Sequence, residues 1–238
     1  MTSSFDLVSQ LTPGLADSAE AWTFIRGFAA HWVTPLAENG GCDEAELASA
    51  ETRLGLTMPA ALREGYRLIG RRPDLTSNHD HLLSPTQLYI DDRGEALVFR
   101  HENQGAASWG VLLADLDKAD PPVVMKSDLA DKAAEHWEGW MDRCSLAWVE
   151  IVMSESLHEP EELSDFLPDL DEPLDSRFAL LPCPSYPGGS TEWGRWFAGP
   201  DVILREEGGE CLSVRARTQE VLNQIRDALP GGWVNDYR

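Results

Sequence analysis

The spacing of apolar residues in the first third of the chain predicts amphipathic helices. From residue 18 to about residue 34 they recur every three or four positions, and either Asp17 or Ser18 can act as the N-cap. In the next stretch, Asp43 and Glu46 have the spacing of a capping box, and Gly55 can end the helix in the left-handed conformation. A third amphipathic stretch follows directly. The first third of the chain is therefore predicted to be helical.

The middle of the chain changes to a period of two, which predicts strands. The stretch 82–113 has the pattern of three short strands, joined by a turn at 92–94 and a second turn near Gly105. The run "DPPVVM" at 120–125 is predicted to be an edge segment, because proline is excluded from central strands. Helical spacing returns near Ser145. These elements predict an antiparallel meander covered by a helix.

The last third of the chain begins with an acidic segment. Residues 159–176 are predicted to be a linker, because acidic residues and prolines alternate there with single apolar residues and no basic residue occurs. Residues 177–238 have the pattern of a strand, a Gly-rich loop at 185–194, a hairpin that turns at 208–209 and a helix capped by Thr218. This order predicts a separate C-terminal lobe.

The predicted fold class is α+β. Residues 1–158 form a first domain, in which an antiparallel or mixed sheet is flanked by helices and preceded by an N-terminal helix. Residues 177–238 form an appended β-β-β-α lobe. Because a lobe of about 60 residues has only a marginal core of its own, we expect it to pack on the first domain.

Composition excludes several classes of partner. The 238 residues include 19 Lys and Arg against 41 Asp and Glu, a formal net charge of −22. This charge repels nucleic acid and anionic membranes and favours a basic protein surface. The sequence has no secretory leader pattern and no apolar run that spans a bilayer, so a cytoplasmic protein is expected. The four cysteines are scattered without a CxxC pair and are expected to be reduced thiols.

Two stretches carry a family resemblance. "AELASAETRLGLTMPAALREGYRLIG" resembles the entry helices of the SMI1/KNR4 (SUKH) superfamily, and "LVFRHENQGAASWGVLLADLDKADPPVVM" resembles its central strands, where bacterial members carry Glu-Asn-Gln, Trp-Gly and Asp-Pro-Pro in this order. The resemblance covers residues 43–157. The chain departs from the pattern at Met58, where leucine is usual, and at 70–72, where many members have Asn-Gly.

The resemblance implies both a fold and a function. It implies an α+β fold with a sheet flanked by helices and no general catalytic activity. Many bacterial members are thought to be immunity proteins that bind and neutralise toxins, including nucleases, and eukaryotic members act as interaction proteins. Binding is the property that these members share.

The stretch "HENQGAASWGV", which begins at His101, is a candidate active site. On a strand, His101 and Glu102 point to opposite faces and cannot act together as acid and base. His101 and Asn103 share a face, but the sequence supplies no nucleophile with an orienting base. We therefore interpret the stretch as two strands joined by a turn at Gly105, with Trp109 in the core. No catalytic residue is predicted.

The stretch "NHDH" at 78–81 is a candidate metal site. His79 and His81 can chelate one ion from an extended loop, but a third ligand would have to come from elsewhere in the chain. We interpret the stretch as a solvated loop and predict no metal. The glycine-rich stretches lack the Lys-Ser or Lys-Thr of a phosphate loop, and the acidic segment lacks the spacing of a calcium loop. No cofactor is predicted.

These observations predict a non-catalytic binding module, an immunity protein that neutralises a basic toxin such as a nuclease. The candidate partner-binding residues are acids of the first turn and its strand and acids of the linker: Asp91, Asp92, Glu95, Glu102, Glu161, Glu162, Asp165, Asp169 and Asp171. One alternative is a small hydrolase or transferase with a His base in a cleft between the lobes. Another is an interaction protein whose partner is not a toxin.

Overall fold

The computed structural model describes residues 5–171, 173–183 and 194–236. The chain divides into two compact units, one of residues 16–155 and one that joins residues 1–15 to residues 156–238. Among the described residues, no helix has both the length and the apolar character needed to cross a bilayer. The Gly-rich loop predicted at 185–194 lies, except for Gly194, outside the described residues.

Seven α-helices occur in the described residues: α1 (Leu7–Leu11), α2 (Ser18–Trp32), α3 (Glu44–Leu54), α4 (Ala60–Ile69), α5 (Pro73–Thr76), α6 (Cys144–Ser156) and α7 (Gln219–Ala228). The predicted caps are confirmed. Asp17 caps α2, and Thr218 caps α7. The capping box of Asp43 and Glu46 begins α3, and Gly55 ends it with a φ of 69°. Local sequence therefore determines where α2, α3 and α7 begin and where α3 ends.

Six strands form the sheet of the unit 16–155: β1 (His81–Leu82), β2 (Tyr89–Ile90), β3 (Ala96–His101), β4 (Ala107–Leu112), β5 (Val123–Ser127) and β6 (Glu138–Met141). Every pairing is antiparallel, in the order β1-β3-β4-β5-β6, and β2 also pairs with β3. The two predicted turns are present, since Gly94 and Gly105 have φ values of 68° and 80°. The predicted α+β class is confirmed.

The position predicted for the segment 120–125 is wrong. Its strand, β5, lies between β4 and β6 and is not an edge. The prolines do not disturb the ladder, because they precede the first strand residue, Val123. Strand β6, which the sequence pattern did not reveal, forms the edge.

Helix α6 packs on β3 through a fully buried tryptophan. The Trp148 ring stacks on Phe99 at a centroid distance of 6.3 Å and meets Tyr66 edge-on at 5.4 Å. Gly65 makes room for it, because a Cβ there would lie 2.0 Å from Trp148 Cε2. This contact fixes α6 across the sheet, and the last turn of α6 then reaches the loop before β1 through Glu155.

The second unit contains a five-stranded antiparallel sheet: β7 (Ser164–Leu167), β8 (Ala179–Leu180), β9 (Arg195–Gly199), β10 (Val202–Glu207) and β11 (Cys211–Ala216). The strand order is β7-β11-β10-β9-β8. The predicted hairpin joins β10 to β11 through Gly208 and Gly209, with φ values of 65° and 70°. Leu222 and Leu229 of the α7 region share one core with Leu204 and Val214 of the sheet.

Two parts of the predicted domain division differ in the structure. The segment 159–176 is not only a linker, because it contains β7, which pairs with β11, and because Leu167 and Leu174 lie in the core of the second unit. Helix α1 belongs to the same unit and contacts β9, with Leu7 and Leu11 buried. An apolar pattern predicts that a segment is buried, but it does not specify which core the segment joins.

The outer edge of β7 is covered by the chain after α7. The N–H of Val234 donates to the carbonyl oxygen of Phe166 at 3.0 Å. The N–H of Phe166 donates to its neighbour's carboxylate, Asp165 Oδ1, at 2.8 Å, and the N–H of Asn235 donates to the same oxygen at 2.9 Å. Both polar backbone groups of Phe166 are therefore hydrogen-bonded.

Candidate functional site

The stretch "HENQGAASWGV" forms the end of β3, a turn and strand β4, as predicted. Glu102 shapes the turn, because its Oε2 accepts hydrogen bonds from the N–H groups of Gln104 at 2.7 Å and Ala106 at 2.9 Å. Trp109 is 2% exposed, which confirms its prediction as a core residue. Its ring lies beside that of Trp140 in β6, at a centroid distance of 5.7 Å.

The two candidate sites of the sequence meet in space. Strand β1 pairs with β3 so that His81 lies opposite His101, which places the loop 78–80 against residues 102–103. The N–H of Asn103 donates to Asp80 Oδ1 at 3.2 Å. The side-chain amide of Asn103 lies 3.0 Å from the ring nitrogens of His79. Strand pairing therefore joins two segments that are 20 residues apart.

We call the place where the loop 78–80 meets residues 102–103 the junction. Three side chains of the types that can bind a metal lie close together there. One ligand atom each from His79, Asp80 and Glu102 lies within 4.8 Å of the others. His81, which the sequence paired with His79, is not part of this group. Sequence reasoning could not locate Glu102 as a member of this group, and a fourth residue, Asn103, contacts both His79 and Asp80.

A buried arginine lies behind this group. Arg100 is 0% exposed, and its guanidinium is ion-paired to Asp80 at 3.1 Å, Glu155 at 2.6 Å and Glu150 at 3.7 Å. It also lies over the Trp109 ring, 4.8 Å from the centroid. We call these four charged residues, Arg100, Asp80, Glu150 and Glu155, the Arg100 cluster. Its formal charge is negative, because one guanidinium faces three carboxylates.

Glu155 of the Arg100 cluster holds the loop before β1. Its two carboxylate oxygens accept hydrogen bonds from the N–H groups of His79 at 2.6 Å and Asp80 at 3.2 Å. The Asn78 side chain donates to the Glu155 carbonyl oxygen at 2.9 Å. Burial raises the pKa of the Asp80 carboxyl, although Arg100 acts in the opposite direction. The cluster thus fixes the backbone that carries His79 and Asp80.

His101, the residue considered as a catalytic base, is built into the sheet. Its Nδ1 lies 3.0 Å from Ser108 Oγ, and its Nε2 lies 3.4 Å from the Tyr89 hydroxyl. The Tyr89 ring also stacks on it at 5.7 Å. Burial, and then the neighbouring His81, lower the pKa of His101. Through these contacts, His101 packs against its neighbours in the sheet.

Two of the nine acids predicted to bind a partner are buried, which corrects that part of the prediction. Asp91 accepts hydrogen bonds from the N–H groups of Glu95 and Ala96, from Lys126 Nζ and from Trp137 Nε1. Burial disfavours its charge, but these hydrogen bonds prevail and lower the pKa of Asp91 to about 2.

Asp165 is the second buried acid. Its Oδ2 lies 2.7 Å from Arg226 Nε, and its Oδ1 accepts from two backbone N–H groups of the β7 edge. Asp91 and Asp165 are therefore structural residues. Of the remaining acids, Glu102 is half-buried and the other six are exposed: Asp92, Glu95, Glu161, Glu162, Asp169 and Asp171.

The comparisons with known proteins give no relative. No protein-family model, no curated protein and no solved structure matches the chain. The site is therefore interpreted from its own geometry.

Proposed function

We propose that this protein is a non-catalytic binding module that docks a basic protein domain, as an immunity protein docks a toxin. The observation that carries the proposal is a hydrogen-bonded turn that presents exposed acids. The turn joins β2 to β3, and it is held by the buried carboxylate of Asp91, while Asp92 and Glu95 beside it are exposed.

The turn is also tied to the loop between β5 and β6. The Arg93 guanidinium donates to the carbonyl oxygens of Lys132 at 2.8 Å and Glu135 at 2.7 Å. That loop carries two further exposed acids, Asp128 and Asp131. We call the exposed acids Asp92, Glu95, Asp128 and Asp131 the turn surface. A surface ordered before binding loses less entropy on association, which favours a docking role.

Charge supports the same role. Residues 91–95 and 113–138, which form the turn and the elements next to it, contain ten acidic and four basic residues. The charge of the whole chain, −22, exceeds in magnitude the roughly 2 to 8 that is sufficient to keep a small domain soluble. An excess of exposed acid accelerates encounter with a basic partner. Cys42, Cys144 and Cys211 are free thiols, which suits the proposed action inside the cell.

The test uses the purified product of the gene adjacent to this one as the candidate partner. Surface plasmon resonance measures its association rate with the full chain at low and at physiological salt. We expect association to slow several-fold as the Debye length shortens to about 8 Å. The double variant Asp92→Asn/Glu95→Gln should slow association more than it speeds dissociation, because charges at the rim act mainly on encounter.

The control is Glu161→Gln/Glu162→Gln, which removes the same charge from exposed residues of the other acidic segment. We expect little change in the association rate from this control. If the control slows association and the first variant does not, the proposed surface is wrong. Absence of binding, or binding that responds neither to salt nor to either variant, contradicts the proposed function.

A further inference from the structure

The group formed by His79, Asp80 and Glu102 has the composition of a metal site. It offers one imidazole and two carboxylates, the nitrogen and oxygen ligands that Zn²⁺ accepts in proteins. Their ligand atoms lie within 4.8 Å of one another, so a small inward movement is enough for all three to reach one ion. The residues come from two segments that strand pairing joins, β1 with its preceding loop and the end of β3.

The backbone at this site is fixed independently of any ion. Glu155 accepts from the N–H groups of His79 and Asp80, and the Asn103 N–H donates to Asp80. Glu102 uses one carboxylate oxygen, Oε2, to hold the following turn. In metal sites, such hydrogen bonds orient the residues that bind the ion.

A fourth side chain at the junction carries an unsatisfied atom. Asn103 Oδ1 is buried and has no hydrogen-bond partner among the described residues. The amide nitrogen of the same side chain lies 3.0 Å from both ring nitrogens of His79. Rotation of the amide by 180° places the oxygen there instead.

Charge around the site favours a cation. Asp80 belongs to the Arg100 cluster, in which a single guanidinium is ion-paired to three carboxylates. Glu102 adds a further carboxylate at the junction. Buried carboxylates require compensation by cations or hydrogen bonds, and a divalent ion beside Asp80 supplies positive charge where these acids converge.

We propose that His79, Asp80 and Glu102, together with the Asn103 amide oxygen, bind one Zn²⁺ ion per chain. This replaces the expectation that the 78–81 loop is only solvated. The ion would fasten the loop 78–80 to the turn after β3. The proposal is independent of the proposed partner, since none of these four residues belongs to the turn surface.

The test is isothermal titration calorimetry of the chelator-treated full chain with ZnCl₂. Physiological salt and excess MgCl₂ are included, because they suppress diffuse attraction of cations to an acidic protein. We expect saturable binding of one ion per chain. His79→Ala and Glu102→Gln should each weaken binding by at least about tenfold. Glu102→Gln keeps an oxygen that accepts from Gln104, so it preserves the turn and remains informative if His79→Ala fails to fold.

The matched control is His136→Ala. His136 is an exposed histidine whose Nε2 lies 3.1 Å from Glu138, so it offers a histidine–carboxylate pair outside the proposed site. We expect this variant to bind Zn²⁺ as the parent chain does. The proposal is overturned if no saturable binding occurs, or if both His79→Ala and Glu102→Gln bind Zn²⁺ as tightly as the parent chain.

Discussion

Each unit of the protein buries at least one arginine, and Arg226 and Arg100 are neutralised in different ways. In the second unit, Arg226 is paired with Asp165, and the other oxygen of that carboxylate accepts backbone N–H groups. In the unit 16–155, Arg100 is paired with three carboxylates. The Arg226–Asp165 pair is formally neutral, whereas the Arg100 cluster has three carboxylates for one guanidinium. The balanced pair serves the fold, whereas the unbalanced cluster borders the junction of the two candidate sites.

The difference suggests where function lies. Burying a charged pair contributes little to stability, because desolvation offsets the attraction of the ions. An excess of buried charge costs more still, and proteins retain such departures mainly at functional sites. We therefore assign the Arg226–Asp165 pair to structure and the Arg100 cluster to support of a site.

The sharpest test of this comparison removes each arginine in turn. Arg100→Met leaves three buried carboxylates without their guanidinium, two of which still accept backbone hydrogen bonds. Arg226→Met leaves a single carboxylate, which accepts two backbone hydrogen bonds. We expect losses of about 5 and about 3 kcal/mol in the free energy of unfolding, respectively. Urea denaturation measures both losses in the free energy of unfolding. Hydrogen exchange, followed separately for each sheet, shows which unit is destabilised. Equal losses would remove the distinction between the two arginines.

A second test removes the ring over which Arg100 lies. Trp109→Ala deletes a large buried side chain and should destabilise the unit 16–155 by roughly 3 to 5 kcal/mol. Trp109→Phe, which keeps an aromatic ring beneath the guanidinium, should cost clearly less. Thermal denaturation of the two variants and the parent chain provides the comparison. An unchanged melting temperature for Trp109→Ala would show that this strand does not support the core.

The third test concerns Asp91, a buried acid that, like Asp165, is fully engaged by donors. Its pKa is lowered to about 2 in the folded chain and returns to near 4 in the unfolded chain. Its contribution of about 2 kcal/mol is therefore present above pH 4 and lost as the pH falls towards 2. Asp91→Asn should remove this contribution at pH 7 and flatten the stability profile between pH 4 and pH 2. Urea titrations across this range, with Asp92→Asn as the exposed control, measure it.

The sequence predicts those parts of the fold that depend on neighbours in the chain. The capping residues of α2, α3 and α7 and the left-handed glycines at 94 and 105 act within a few positions, so a local pattern is sufficient to locate them. A local pattern does not predict strand β7, because this strand depends on a distant part of the chain. Its sequence, Ser-Asp-Phe-Leu, has little apolar alternation, and it becomes a strand only because β11 is available to pair with it.

The candidate site was only partly predictable. The sequence offers His79, His101 and Glu102 as candidates, but the contact between their two segments depends on the register of β1 against β3. Arg100, Glu150 and Glu155 were not identified. A charged residue within an apolar run, as Arg100 in "ALVFRH" and Glu150 in "LAWVEIVM", was the available signal, because such a residue is buried only with a partner.

The hydrogen bonds at the outer edge of β7 bear on how copies of this protein behave in solution. An uncovered edge strand is a template on which a second chain can add, and the exposed Phe166 side chain would make that addition more favourable. Val234 and Asp165 already occupy the carbonyl and the N–H of Phe166. Asp165 and the residues that follow α7 therefore occupy two backbone groups that a second chain would need in order to pair with this edge.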